Sequence, residues 1–343
     1  MHIIAKEIEE PMTRRVAING FGRIGRGVLR ALLQQQNDLE VVAINDLTDA
    51  PTLAHLLSRD SLYGKLEQPV SVDGTTLVVG DRRIEILGER DPAKLPWAEL
   101  QVDVVLESTG FFTKAADARK HIEAGAKRVL VSAPAKGADL TLVVGVNDDL
   151  YDPEQHHIVS NASCTTNALA PLAKVLDELA GIEWGTMMTV HAYTADQRLQ
   201  DAPHSDLRRA RAAALNIVPT STGAATAIGQ VLPQLDGKLV GGSLRVPVPV
   251  GSIVELTAVV SREVTRDEVL AAYRAAADGP LAGVLEYSEE PLVSSDIVGN
   301  PHSSIFDSEL TYADGKHVKV TAWYDNEWGF SNRAAQVLAT LAD

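Results

Sequence analysis

The chain has 343 residues, 45% of them hydrophobic and 22% charged, with a formal net charge of −15. That length and balance suit a globular protein of two ordinary domains, each large enough to bury its own core. The acidic surplus argues against non-specific nucleic-acid binding and against an anionic membrane surface, and no apolar run reaches the ~20 residues of a membrane span. A single cysteine rules out an intrachain disulfide and fits a reducing, cytoplasmic setting. Met1 to Met12 is too short and too acidic for a signal peptide and is expected to be an extension, with Met12 an alternative start.

In chain order, Arg14 to Asn19 reads as a short apolar strand, followed at once by Gly20-Phe21-Gly22-Arg23-Ile24-Gly25. Arg26 to Gln36 reads as a helix with Val28, Leu29, Leu32 and Leu33 on one stripe, and Leu39 to Ile44 as a second strand ending in Asn45-Asp46. Strand, glycine-rich turn, helix, strand and acid is the dinucleotide-binding fingerprint. Gly20 permits the tight turn, Gly22 lets the backbone approach a pyrophosphate, and Gly25 lets helix and strand pack closely. Asp46 is placed to bond ribose hydroxyls and to repel a 2′-phosphate.

Thr52 to Leu57 is expected to be helical. Val70 to Val79 and Arg82 to Leu87 alternate around Asp73-Gly74 and Gly80-Asp81 and predict hairpins. Strands are expected at Val102 to Glu107, Lys127 to Ser132 and Leu140 to Gly145, with a helix over Lys114 to Ala124 that Gly125 stops. The alternation predicts a doubly wound, mostly parallel sheet whose carboxyl ends face the ligand. Thr109, Gly110 and Ser132 stand at such ends.

Gln155 to Val159 reads as a strand, which would send His156 and His157 to opposite faces. Ser160-Asn161-Ala162-Ser163-Cys164-Thr165-Thr166-Asn167 then leads into a helix over Ala168 to Ala180. Cys164 therefore falls at a helix start, where the partial positive charge favours a thiolate. Pro171 is expected to kink that helix or displace its start. Beyond it, Gly185 to His191 is a strand, and Leu199 to Asn216 is a long irregular stretch rich in arginine, a pattern that usually marks function. Strands at Ser243 to Pro249, Ser252 to Val260 and Lys316 to Trp323, with fewer helices between them, predict a mixed or antiparallel sheet. Arg266 to Ala276 and Ser331 to Leu341 are expected helices. Of nine histidines, His191 ends a strand before a polar loop and is the best-placed base for Cys164. No His, Asp and Glu grouping has zinc spacing, so no metal is expected.

Four stretches together resemble the phosphorylating glyceraldehyde-3-phosphate dehydrogenase family: Asn19 to Gly25, Ser160 to Asn167, His191 to Thr194 followed by Asp206 to Arg211, and Trp323-Tyr324-Asp325-Asn326-Glu327. The resemblance runs from about Arg14 to the C-terminus, with the motifs in the family's order. It implies a Rossmann-type NAD-binding domain over 13–163, an α+β catalytic domain over 164–328 and a C-terminal helix over 329–343 that packs back on the first domain. It implies that Cys164 attacks the aldehyde and that His191 takes the proton. NAD would be held by Gly20, Phe21, Gly22, Arg23, Ile24, Asp46, Arg90, Thr109, Ser132 and Asn326. Thr194 and Arg245 match the family's site for the C3 phosphate of glyceraldehyde 3-phosphate. Ser163, Thr165, Thr222, Gly223 and Arg209 match positions near the site for inorganic phosphate. A homotetramer is implied too, with the arginine-rich loop near a neighbour's cofactor crevice.

The sequence departs from the family in three places. Ala168 replaces a common second cysteine, Phe330 a common tyrosine, and Ala202-Pro203 the Leu-Pro of many NAD-preferring members. Two other readings stand beside this one. An erythrose-4-phosphate dehydrogenase would show weakened recognition of inorganic phosphate, and a non-catalytic nucleotide-binding scaffold would show a broken Cys164–His191 pair.

Overall fold

The computed structural model describes residues 13–35 and 37–343. The expected extension Met1 to Met12, and Gln36 at the end of the first expected helix, lie outside the described residues. The chain opens with β1 (Arg14–Asn19), α1 (Arg23–Gln34), β2 (Leu39–Asn45) and α2 (Ala50–Ser58). A two-stranded ribbon, β3 (Arg59–Asp60) and β4 (Gly64–Lys65), precedes the hairpin strands β5 (Val70–Asp73), β6 (Thr76–Val79) and β7 (Arg82–Leu87). Then come β8 (Val104–Glu107), α3 (Ala115–Glu123), β9 (Arg128–Val131), β10 (Leu140–Thr141) and β11 (Ile158–Ser160).

These strands form one sheet in the order β10-β11-β9-β8-β1-β2-β7-β6-β5. Pairing is parallel from β10 to β7, and β6 and β5 close one edge as an antiparallel hairpin. The chain leaves β1 toward β2, then returns to place β8 on the other side, so the strand order reverses at β1. A crevice opens at the carboxyl ends of β1, β2 and β8, as such a reversal dictates. In β1, Val16, Ala17 and Ile18 are all buried, because helices cover both faces.

The second half begins with α4 (Cys164–Ala180), β12 (Ile182–Ala192), β13 (Val218–Thr220), α5 (Ala224–Val231), β14 (Leu239–Val246) and β15 (Ser252–Val260). It continues with α6 (Arg266–Ala277), β16 (Leu285–Ser288), β17 (Ser304–Asp307), β18 (Tyr312–Asp314), β19 (His317–Tyr324) and α7 (Trp328–Ala342). The second sheet runs β13-β14-β12-β15-β19-β17-β16, with β18 paired to β19. Pairs β12–β14 and β16–β17 are parallel and the rest antiparallel, so the sheet is mixed. Burial along β15 alternates strictly, which puts one face on the core and leaves the other open. Leu338 and Leu341 of α7 pack with Val16 and Ile18 in the first core. Burying each such side chain is worth about 1.5–3 kcal/mol.

Several elements differ from expectation. The helix after Cys164 begins at Cys164 itself and runs unbroken through Pro171. Ala170, Pro171 and Leu172 are all buried, so packing on every side overrides one lost backbone bond. His156 and His157 precede β11 rather than lying in it; His156 Nδ1 accepts from the Asp152 N–H at 2.9 Å in a local turn. The first helix starts at Arg23, three residues early, and β10 ends at Thr141. Strands β16, β17 and β18 lacked a legible period. Among the described residues no helix is long and apolar enough to cross a membrane.

Candidate active site

Between β11 and α4 the chain turns through Asn161-Ala162-Ser163. Ala162 has φ +56°, in the left-handed region, at a cost of about 1–2 kcal/mol for a residue with a Cβ. Ser163 caps the helix, its Oγ accepting from the Thr166 N–H at 3.0 Å. The turn and cap set Cys164 as the first helical residue, half-buried.

Cys164 Sγ lies 3.3 Å from His191 Nε2. His191 sits near the end of β12, in register with Arg245 on the parallel neighbour β14. His191 Nδ1 lies 2.7 Å from the Ala192 carbonyl, and the tautomer that donates to this oxygen leaves the Nε2 lone pair facing the sulfur. Arg245 Nη1 shares that carbonyl at 3.0 Å and lies 2.9 Å from Nδ1. Beneath the pair, the buried Tyr324 hydroxyl bridges Thr165 Oγ1 at 2.9 Å and Thr189 Oγ1 at 2.8 Å, and its ring meets His191 edge-on.

Burial, and then the Arg245 cation, depresses His191 to about 3, with the Ala192 carbonyl opposing them. Burial pushes the Cys164 thiol up, while Arg245 pulls it down. Both shifts run toward a neutral thiol–imidazole pair. They run against the thiolate that the helix start and His191 are expected to favour. A helix terminus contributes about 0.3–1 kcal/mol near the surface, and here burial outweighs it.

The second constellation is the crevice at the end of β1. Gly20 has φ +92°, and a Cβ there would come within 2.6 Å of the Thr109 nitrogen. A Cβ on Gly25 would meet the Gly20 carbonyl oxygen at 2.3 Å, so helix and turn touch only because both residues are glycine. A Cβ on Gly22 would meet nothing and would project into open space at the first turn of α1. Exposed backbone there, with the unpaired N–H groups of a helix start, fits a pyrophosphate. The crevice holds about 460 Å³ and is lined by Gly20, Gly22, Asp46, Leu47, Arg90, Thr109 and Phe111 among others. Asp46 accepts from the Phe21 N–H at 2.8 Å and from the Thr48 N–H at 2.9 Å, which fixes its carboxylate at the rim.

Residues 14–115 match the model described as "Glyceraldehyde 3-phosphate dehydrogenase, NAD binding domain", and residues 163–326 match "Glyceraldehyde 3-phosphate dehydrogenase, C-terminal domain". The chain belongs to the glyceraldehyde 3-phosphate dehydrogenase family. It is 72% identical over 328 residues to a glyceraldehyde-3-phosphate dehydrogenase of Kitasatospora aureofaciens, covering 96% of this chain and 99% of the relative. It is 60% identical to glyceraldehyde-3-phosphate dehydrogenase 2 of Streptomyces arenae, covering 96% and 98%, and 59% identical to the enzyme of Mycolicibacterium smegmatis, covering 96% and 99%.

The structure gathers most of the residues that the resemblance to glyceraldehyde 3-phosphate dehydrogenases singles out, with some turned elsewhere. The Phe21 side chain is buried in the first core, so only its backbone faces Asp46. Ile24 packs against that core, and Ser132 donates to the Glu107 carbonyl at 3.0 Å. Asn326 Oδ1 accepts from Gly251 N–H and Ser252 Oγ, which directs its amide nitrogen the other way. Arg23 forks onto Asp60 and Glu327 and, with Thr194, lines an adjoining cleft of about 360 Å³.

On the anion side, Arg245 Nη1 lies 3.5 Å from Thr194 Oγ1. Arg209 is held by Asp196 Oδ2 at 2.6 Å and Thr220 Oγ1 at 2.8 Å. Thr222 Oγ1 accepts from the Ala224 N–H beside Gly223, which caps α5. The Thr165 hydroxyl is spent on Tyr324 rather than facing an anion. Sequence reasoning missed Tyr324, Asp196 and Glu327 as partners. Only Tyr324 carried a signal, at the end of an alternating strand.

Proposed function

We propose that this chain oxidises glyceraldehyde 3-phosphate to 1,3-bisphosphoglycerate with inorganic phosphate and NAD. The observation that carries the reading is Cys164 Sγ at 3.3 Å from His191 Nε2, at the start of α4. The thiol adds to the aldehyde carbon while its proton passes to His191 Nε2, giving the alkoxide of a hemithioacetal. NAD would be held by the α1 turn, Asp46, Arg90, Thr109 and Asn326 and would supply the hydride acceptor for oxidation of this adduct to a thioester. Inorganic phosphate then attacks the thioester carbon, the C–S bond breaks, and protonated His191 returns its proton to sulfur. A neutral imidazole is the competent base for the first step, and the depressed His191 keeps it neutral across the physiological range.

Arg245 and Thr194 bind the C3 phosphate in this scheme. Arg209, Ser163, Thr222, Gly223 and the backbone at Thr165 bind the incoming phosphate. Arginine forks and hydroxyls suit that task. The domain division is 13–163, 164–328 and 329–343.

The functional unit is a homotetramer. Support comes from apolar side chains that one copy leaves bare: Trp184, Met188 and Val240 on the second sheet, and Leu199, Leu207, Leu215 and Ile217 on the arginine-rich loop. The unpaired cysteine favours the cytoplasm. The test is steady-state turnover with and without inorganic phosphate, beside native mass by light scattering. Acyl-phosphate formation that stops without phosphate, in a particle of four chains, is expected. Phosphate-independent turnover would point to thioester hydrolysis and the erythrose-4-phosphate reading.

A further inference from the structure

A buried polar cluster runs back from the wall of the dinucleotide crevice. Glu107 ends β8, His121 lies on α3, and Trp97 packs behind them; these three are 2%, 0% and 0% exposed. Asn19 ends β1 and Asn45 ends β2, and both are buried. Trp97 Nε1 can only donate, and it lies 2.9 Å from His121 Nδ1. That ring nitrogen must accept, so the imidazole proton sits on Nε2 and points at Glu107 Oε2, 3.0 Å away. The ring is thereby neutral, and Glu107 is a buried carboxylate satisfied by donors rather than by a cation.

Those donors come from the crevice walls. Asn19 Nδ2 donates to Oε2 at 2.6 Å, while the Thr109 N–H donates to Oε1 at 2.8 Å and the Thr109 hydroxyl to the same oxygen. The order continues outward. Asn19 Oδ1 accepts from Asn45 Nδ2 at 2.7 Å. Asn45 then clamps the Glu89 backbone at both ends, donating to its carbonyl at 2.8 Å and accepting from its N–H at 2.8 Å. The chain after β7, which carries Arg90, is thus tied through two amides to one carboxylate. Glu107 accepts side-chain or backbone donors from both the turn after β1 and the turn after β8, which Ser108 also ties directly through the Asn19 and Gly20 carbonyls, and the β7 segment hangs from it.

We infer that Glu107, through Asn19 and Asn45, is a positioning residue that shapes the adenosine half of the dinucleotide site. The inference rests on the crevice being the NAD site. Donor direction makes it specific. In Glu107→Gln the side chain keeps its shape but gains an N–H where every neighbour already donates. One of Thr109, Asn19 or His121 must then turn away, and the wall moves with it. Buried networks of this kind are costly when partly satisfied. The paired change Asn19→Asp with Glu107→Gln restores the balance, because the new carboxylate accepts from the new amide, from Asn45 and from His121.

The experiment measures KM for NAD and kcat for wild type, E107Q, the N19D/E107Q pair and N45A, which cuts only the outer link. It also measures the iodoacetamide labelling rate of Cys164 without cofactor. Expected is a rise in KM for NAD of about tenfold to a hundredfold in E107Q, with kcat within about threefold, the loss of a buried charge-assisted bond. The pair returns to within about threefold of wild type, N45A lies between, and labelling is unchanged in all. An unchanged KM in a folded E107Q, or a KM in the folded pair no better than in E107Q, overturns the inference. If neither carboxylate variant folds, N45A decides, and an unchanged KM there overturns it. Wild type without NAD-dependent turnover sinks the reading of the crevice instead.

Discussion

The dinucleotide crevice and the cysteine site are built on opposite principles. The crevice is a backbone object: Gly20, Gly22 and Gly25 clear the space, α1 offers its N–H groups, and buried acceptors hold the walls. Almost every group there has a partner from its own domain. The cysteine site is a side-chain object. Cys164, His191, Arg245 and Tyr324 come from four separate elements, and burial pushes all four toward their neutral forms. The crevice walls are tied together by their own hydrogen bonds, whereas burial in the cysteine site works against the charges its chemistry must develop. Perturbing the first should weaken binding; perturbing the second should stop chemistry.

The sharpest break between the two is Cys164→Ser. Turnover should fall by at least about a thousandfold, with NAD affinity, read by fluorescence titration, within about threefold of wild type. Appreciable turnover by that variant would erase the distinction. His191→Asn should cost about 10²–10⁴ in kcat. It should also change acid stability. His191 titrates lower folded than unfolded, so its neutral form supports the fold above about pH 6.5, and that support is lost as pH falls toward 3. Over that window wild type should lose roughly 3–5 kcal/mol more than H191N, read as urea midpoints at stepped pH. Equal slopes would show that His191 is not buried neutral. For Cys164, raised by burial, iodoacetamide labelling of the cofactor-free enzyme should still be climbing above pH 8.5, and a plateau near pH 6 would show a preformed thiolate.

Smaller effects test the anion sites. Arg245→Ala should raise KM for the aldehyde about tenfold to a hundredfold, the usual cost of a lost charge-assisted bond. It should also lift His191, since the cation beside Nδ1 is gone. Arg209→Ala should mainly weaken use of inorganic phosphate, and by less, because Asp196 already neutralises much of that guanidinium. The smallest change belongs to the crevice. Asp46→Gly should raise the NADP to NAD efficiency ratio about tenfold by removing the repulsion of a 2′-phosphate. Combined with Pro203→Ser, the gain should exceed the sum if a neighbour's loop borders the same pocket. Strict additivity would separate the two residues in space.

The residues by themselves specified whatever depends on neighbours along the chain. The β1 strand, the glycine turn, Asp46, the hairpins from Val70 to Leu87 and the strand over Ser252 to Val260 could all be read from period and turn chemistry. So could the seat of Cys164 at a helix start, because Ser163 caps locally. What the residues could not specify depends on partners far away. Pro171 argued for a break that packing around α4 suppressed. The hydroxyl of Thr165 looked fit for an anion and found Tyr324, which lies 159 positions on. Arg209, matched to the inorganic-phosphate site, found Asp196. Most of all, the helix start argued for a thiolate. Protonation, though, is set by how much water and charge surround an atom in three dimensions, and only the fold sets a half-buried Cys164 beside His191 and Arg245.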